Sequence, residues 1–263
     1  MLIVVLATLT STATALEFAG VPISPGSTVR AEVSLTAAEK SYAADAMTKV
    51  PDKAVAVLAI PPRFDPAKVW PVLVVFSTTD FRRLNRDDLV DFYRKAALSE
   101  GWVVIAGDGH DFPPHDTNGW RAAMTMAALD ALHRSFPQSS RWPVSVAGFS
   151  GGAKRASLLA PLLVLDGTHV CGMYLTGVNE DVLSVSYRKS HLGKSFLEMP
   201  IFISSGTNDP IAPTDRARAV AGSMKRAGFQ SVRFETFTGG HAVKKAHTIG
   251  ALRWFRESCS RAR

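Results

Sequence analysis

Ser150 stands in Gly148-Phe149-Ser150-Gly151-Gly152, a G-x-S-x-G pentapeptide that directly follows the apolar run 144–147 and directly precedes an Ala/Leu-rich stretch. A serine at a sharp strand-to-helix turn takes up strained backbone angles, and glycines on either side let strand and helix approach each other. The hydroxyl then stands clear at a helix N-terminus, where developing negative charge is stabilised. On its own the pentapeptide also fits a glycine-rich turn with an incidental serine, since short motifs match by chance. A nucleophilic serine needs a base to take its proton and an acid to hold that base in the right tautomer. Residues 200–204 read as a buried strand, and the loop 205–210 beyond it carries Asp209. An alternating strand, 232–237, then runs into Thr238-Gly239-Gly240-His241. Of the seven histidines, His241 is the candidate on a late loop after a strand. Ser150, Asp209 and His241 thus follow one another in an order suited to acyl transfer, each beyond the end of its own strand.

Competing assignments exist for the acid. Asp209 also suits the start of an Asn-Asp-Pro turn, and Glu180 or Asp181 follows another apolar run, 170–175. His247 falls inside a helical pattern and reads as a surface or packing residue. Acyl transfer also needs donors for the tetrahedral oxyanion, each contributing on the order of 10²–10³ in rate. The backbone N–H of Gly151, next to the serine, is the first. The second is expected after the apolar run 71–76, where Ser77-Thr78-Thr79-Asp80 follows. Thr78 is the leading candidate and Thr79 the alternative. The loop contains no glycine, which narrows its allowed conformations.

These residues resemble those of the α/β-hydrolases, closest to the dienelactone-hydrolase and polyhydroxybutyrate-depolymerase/feruloyl-esterase-like groups. The resemblance runs from about residue 28 to the C-terminus. It implies Ser150 as nucleophile, His241 as general base and then general acid, and Asp209 as the orienting carboxylate. It also implies no cofactor and no metal. The chain departs from the family pattern in lacking a His-Gly pair in the oxyanion loop, and dienelactone-type enzymes carry cysteine where Ser150 stands.

The remaining pattern supplies elements to position such a site. Strands are expected at 28–35, 53–60, 71–76, 102–106, 144–147, 170–175, 200–204 and 232–237. Helices are expected at 36–49, 86–99, 118–136 with Asn118 as cap, 153–165, 214–227 and 242–258. Alternating apolar strands and helices predict a mostly parallel central sheet of about eight strands with helices on both faces, and a ligand site at the strand C-termini. Residues 176–199 form an insertion of the right size for a small lid over Ser150. The loop 107–116, with His110, Asp111, His115 and Asp116, resembles a set of metal ligands but is better read as a pocket rim.

At 263 residues and 46% hydrophobic, the chain suits one domain with one large core. Residues 1–15 read as a signal peptide, apolar and ending small-x-small at Ala13-Thr14-Ala15 but lacking a basic start. A first strand or a disordered tail is the alternative. The expectation is therefore an exported protein, secreted or periplasmic, with the domain at 16–263 and no stable membrane insertion. Cys171 and Cys259 are the two cysteines, suited either to one disulfide or to two buried thiols. The net charge of +7 comes without a recognition motif, so no nucleic-acid partner is expected, although attraction to an anionic polymer or surface remains open. The expected function is a serine carboxylic-ester hydrolase acting through an acyl-enzyme on a small-molecule or polymer-linked ester. The alternatives are a serine peptidase of prolyl-oligopeptidase type and a non-catalytic binding protein on the same fold.

Overall fold

The structure, a computed structural model, describes residues 15–44, 50–78, 83–110 and 117–261. A short hairpin, β1 (Glu17–Phe18) with β2 (Val21–Pro22), leads into β3 (Thr28–Ser34), α1 (Ala37–Tyr42) and β4 (Lys53–Ala59). After β5 (Val72–Phe76) the chain forms α2 (Asn85–Asp88), a π-helical turn (Leu89–Tyr93) and α3 (Arg94–Ser99). Then follow β6 (Val103–Asp108), α4 (Asn118–Ser135), β7 (Val144–Phe149), α5 (Gly151–Leu165) and β8 (Val170–Thr176). The chain closes with α6 (Val182–Ser190), β9 (Ile201–Gly206), α7 (Thr214–Arg226), β10 (Val232–Phe237) and α8 (Lys245–Arg261).

Among the described residues, eight strands form one sheet in the order β10-β9-β8-β7-β5-β6-β4-β3. The strands from β10 to β6 are parallel, and β4 and β3 are antiparallel additions at one edge. This is the predicted mostly parallel sheet. Parallel strands covered on both faces cannot alternate polar and apolar residues. Accordingly β5 (VLVVF) and β8 (VCGMYLT) are buried at every position. The edge strand β10 keeps the half-exposed alternation that its sequence suggested.

The core lies in two layers. One face is covered by α1, α4, α5, α6 and α7 through residues such as Trp120, Leu129, Leu159, Leu183 and Val220. The other is covered by the 85–99 helical stretch and α8, which set Leu89, Tyr93, Leu252 and Phe255 on the sheet. Helix α4 is buried continuously from Trp120 to Leu129, so it lacks an amphipathic stripe. Its N-cap corrects the sequence expectation: Thr117, not Asn118, accepts the Trp120 N–H at 3.1 Å. Helices α5 and α8 also shift, α5 beginning at Gly151 rather than residue 153 and α8 at Lys245 rather than 242. Cys171 and Cys259 form a disulfide with Cα atoms 5.5 Å apart, joining the start of β8 to the last turns of α8. This bond lies at the opposite end of the sheet from Ser150. Most of the signal-peptide stretch and the loop 111–116 lie outside the described residues.

Candidate active site

The sheet presents the C-terminal ends of β5, β7, β8, β9 and β10 side by side, and the loops beyond them carry the candidate residues. Ser150 sits between β7 and α5 with φ +57° and ψ −121°. Such an angle in a non-glycine residue costs roughly 1–3 kcal/mol and persists only where the surroundings enforce it. The enforcement is visible. The Ser150 N–H donates to the Thr176 carbonyl of the neighbouring strand at 2.9 Å, and its own carbonyl accepts from Ala153 N at 3.0 Å. The flanking glycines are required by close approach: a Cβ on Gly148 would lie 2.0 Å from Gly152 O, and one on Gly152 would lie 2.2 Å from Phe76 O. Strand β7, helix α5 and strand β5 therefore meet backbone to backbone.

Asp209 and His241 come together from two adjacent loops. Thr207 N donates to Phe237 O and Asn208 N to Gly239 O, each at 2.9 Å, which fastens the loop after β9 to the loop after β10. Across this seam His241 Nδ1 lies 2.7 Å from Asp209 Oδ2. The other oxygen, Oδ1, accepts the N–H groups of Ile211 and Ala212 at 2.8 Å each. Both sequence readings of Asp209 are therefore present at once: one oxygen builds the turn and the other faces the imidazole. Burial pushes the Asp209 carboxyl up, but the Ala212, His241 and Ile211 donors outweigh it and hold its pKa below the ordinary carboxylate range.

The His241 ring is mostly buried and stacks obliquely on Phe149, centroids 4.5 Å apart. Gly177, at φ +61°, faces its other neighbourhood. A Cβ there would lie 2.8 Å from His241 Cε1, so the position leaves space for the ring. The competing acids are engaged elsewhere: Asp181 caps α6 by accepting Ser184 N at 3.0 Å, and Glu180 pairs with Lys154 at 3.0 Å. His247 packs on β9, its Nδ1 2.8 Å from Ser204 Oγ and its ring against Phe202 and Phe237. His110 pairs with Glu32 at 3.0 Å.

Ser150, Gly151 and Thr78 line one cavity of about 480 Å³ together with Asn118, Lys154, Asn179 and Ile211. Thr79 lies outside the described residues. Sequence reasoning missed what holds the Thr78 loop. Ser77 N donates to Asn85 Oδ1 at 2.8 Å, and Asn85 Nδ2 donates to Gly107 O at 2.9 Å. Asp108 accepts the N–H groups of Asn85 and Arg86 at 2.9 and 2.8 Å, and the Arg121 guanidinium at 3.1 Å. Asn85, Asp108 and Arg121 are all fully buried. Burial pushes the Asp108 carboxyl up to about 6 even though Arg121 pulls the other way. From the opposite side, Arg155 on α5 donates to Ser77 O at 3.3 Å and Thr78 O at 3.4 Å. Arg121 and Arg155, charged residues in the first turns of Ala- and Leu-rich helices, were the available signal.

Solved structures with this arrangement of sheet, helices and loops identify the architecture. A ferulic acid esterase matches 90% of this chain and 99% of its own at TM-score 0.57 and 16% identity. A bacterial heroin esterase matches 88% of this chain and 84% of its own at TM-score 0.59 and 17% identity. The protein has the α/β-hydrolase fold. By sequence, the chain is 26% identical over 157 residues to an acyl-protein thioesterase 1 of Debaryomyces hansenii, a match that covers 58% of this chain and 64% of the yeast protein. No family profile matches the chain. In this α/β-hydrolase fold, Ser150, Asp209 and His241 stand on the loops after β7, β9 and β10.

Proposed function

We propose that the protein is a serine carboxylic-ester hydrolase working through an acyl-enzyme. The observation that carries this reading is the strained Ser150 at the head of α5, next in chain to Phe149, whose ring lies 4.5 Å from an imidazole that is held by a buried carboxylate at 2.7 Å. Asp209 fixes the proton of His241 on Nδ1 and leaves Nε2 as the base toward the serine hydroxyl. Ser150 Oγ adds to the ester carbonyl as His241 takes its proton. The Gly151 and Thr78 N–H groups stabilise the oxyanion, with the N-terminus of α5 adding to the field. His241 then protonates the leaving alcohol, and a water activated by the same imidazole releases the acid.

Esterases among the structural relatives and a thioesterase among the sequence relatives support this reading. Acyl-enzyme chemistry is shared by oxygen esters and thioesters, so both belong to the candidate substrate class, whether small or polymer-linked. The polar rim of Asn118, Lys154 and Asn179 favours an acyl or alcohol part with hydrogen-bonding groups over a plain long alkyl chain. Helix α6 is the proposed lid, since Asn179 and Val182 at its start line the cavity. Export is supported by the Cys171–Cys259 disulfide, because such bonds persist in oxidising compartments.

The test is hydrolysis of a p-nitrophenyl ester series and one alkyl thioester by the purified protein and its Ser150→Ala variant, with fluorophosphonate labelling of both. Activity and labelling that vanish in the variant support the assignment. An inert wild type that resists labelling overturns it.

A further inference from the structure

The loop that carries Thr78 has no glycine, and yet it is gripped at consecutive peptide units. Ser77 N–H is bonded to the buried Asn85 Oδ1, and the Phe76 carbonyl just before it lies against the α5 backbone, since a Cβ on Gly152 would come within 2.2 Å of it. Arg155 then holds the carbonyls of Ser77 and Thr78. A trans peptide is planar, with its C=O and N–H pointing in opposite directions. The Ser77 carbonyl and the Thr78 N–H belong to the same plane. Whatever fixes the one aims the other.

Arg155 also lies on the helix that begins with Gly151, the first residue after Ser150. We infer that Arg155 is a positioning residue of the oxyanion hole: it ties the Thr78 amide to the same helix that sets the Gly151 amide, so the two donors keep a fixed separation. The guanidinium is fully buried, and its Nη1 alone reaches both neighbouring carbonyls, at 3.3 and 3.4 Å. Asn85 does the corresponding work from the other side of the loop, itself locked by Asp108 and Arg121. The inference rests on the ester-hydrolase reading, because it assigns a purpose to the Thr78 N–H.

The experiment compares wild type with Arg155→Met, Arg155→Gln and Arg155→Lys. Active sites are counted by fluorophosphonate titration, so kcat is expressed per competent site, and each variant is also assayed for KM and for inhibition by a trifluoromethyl ketone. That inhibitor forms a tetrahedral adduct whose oxyanion occupies the same hole. For Arg155→Met we expect kcat to fall about 10²-fold, close to the loss of one donor, with KM within about threefold. Ketone affinity should fall by the same factor as kcat/KM, because both report the tetrahedral state. Arg155→Lys should recover roughly tenfold of the loss, since it restores one donor to the carbonyls.

A merely structural role would lower the number of active sites and leave kcat per site and ketone affinity unchanged; that result overturns the inference. If Arg155→Met fails to fold, Arg155→Gln, which keeps an amide donor and similar bulk, carries the same comparison. An active wild type with unaltered variants refutes the role of Arg155 alone. An inert wild type refutes the ester-hydrolase reading and this inference with it.

Discussion

Replacing Gly177 with alanine tests whether the placement of the His241 ring is what the site depends on. Gly177 has φ +61°, a region that costs a residue with a Cβ about 1–2 kcal/mol. The new Cβ would lie 2.8 Å from His241 Cε1, 3.2 Å from Nδ1 and 3.0 Å from Phe149 Cε2. Carbon atoms rest at about 3.5–4.0 Å, so ring and backbone must separate by roughly 0.7–1.2 Å. The ring has little freedom to comply: Phe149 lies against it at 4.5 Å and Asp209 holds Nδ1 at 2.7 Å. A retreat of that size either breaks the Asp209 bond or carries Nε2 away from the serine, and about 1 Å of misplacement costs on the order of 10² in rate. Gly177→Ala should therefore lower kcat by about 10–10²-fold with KM within about threefold. The same change should lower Tm by roughly 2–8 °C, from 1–2 kcal/mol at about 2–4 °C per kcal/mol. Steady-state kinetics on a p-nitrophenyl ester at 25 °C, paired with a thermal melt, reads both numbers. A variant that loses the stability but retains full kcat would refute the claim that His241 acts from the position its Asp209 bond defines.

Asp209→Asn removes the acceptor that keeps the proton on Nδ1, so kcat should fall by about 10⁴ with little change in KM, measured on the same ester. The Asp209 carboxyl is held below the ordinary range in the folded chain, so its contribution to stability is complete above the unfolded value near 3.9 and is lost as pH falls through the lower folded value. The stability gap between wild type and Asp209→Asn should accordingly narrow in acid; denaturant melts showing it widen there would contradict the assignment. Glu180→Gln breaks only an exposed pair with Lys154, so stability should change by less than about 1 kcal/mol and kcat by less than about threefold. A loss beyond 10²-fold would return Glu180 to the role given to Asp209. Replacing Cys171 and Cys259 by serine opens a loop spanning 88 residues, about 4–5 kcal/mol in the chain-entropy account, or roughly 8–20 °C in Tm. Because that bond lies at the far end of the sheet, kcat at 25 °C should hold; a large drop in kcat would show coupling that the fold does not suggest.

Much of this architecture was legible because parallel strands buried on both faces must be mostly apolar along their length, as β5, β7, β8 and β9 are. The order of Ser150, Asp209 and His241 was readable for a related reason, since each follows an unmistakable strand. Helix ends were harder. Thr117 rather than Asn118 caps α4 because the choice depends on which side chain reaches the Trp120 N–H, and neighbouring cap residues are alike in type. The N-terminus of α5 moved to Gly151 because a glycine beside a strained serine reads as turn, whereas here it is already the first residue of the helix. Phe149 against His241, and the space left by Gly177, depend on the packing of three loops far apart in sequence. No local pattern encodes such a meeting.

The loop after β5 poses a more general question of how the proposed oxyanion hole is built without the conformational freedom of glycine. A glycine-containing loop reaches unusual angles at low steric cost but must be held there. In this chain Thr78 keeps a negative φ, as the described non-glycine residues at positive φ are Ala19, Ser150 and His191. The burden of aiming its N–H then passes from the loop's own backbone to its surroundings. Those surroundings are buried, charged and multiply bonded: Asn85 and Arg155 touch the loop, and Asp108 and Arg121 hold Asn85. Buried charges of this kind are a poor route to stability, because desolvation cancels most of what pairing returns. They are a good route to geometry, because a satisfied network has few alternative arrangements. The raised pKa of Asp108 carries the same message, a group kept in a place that does not suit its charge. On this argument the network exists for the amide it points, and the rate of the tetrahedral step, more than the melting temperature, is where its loss will be felt.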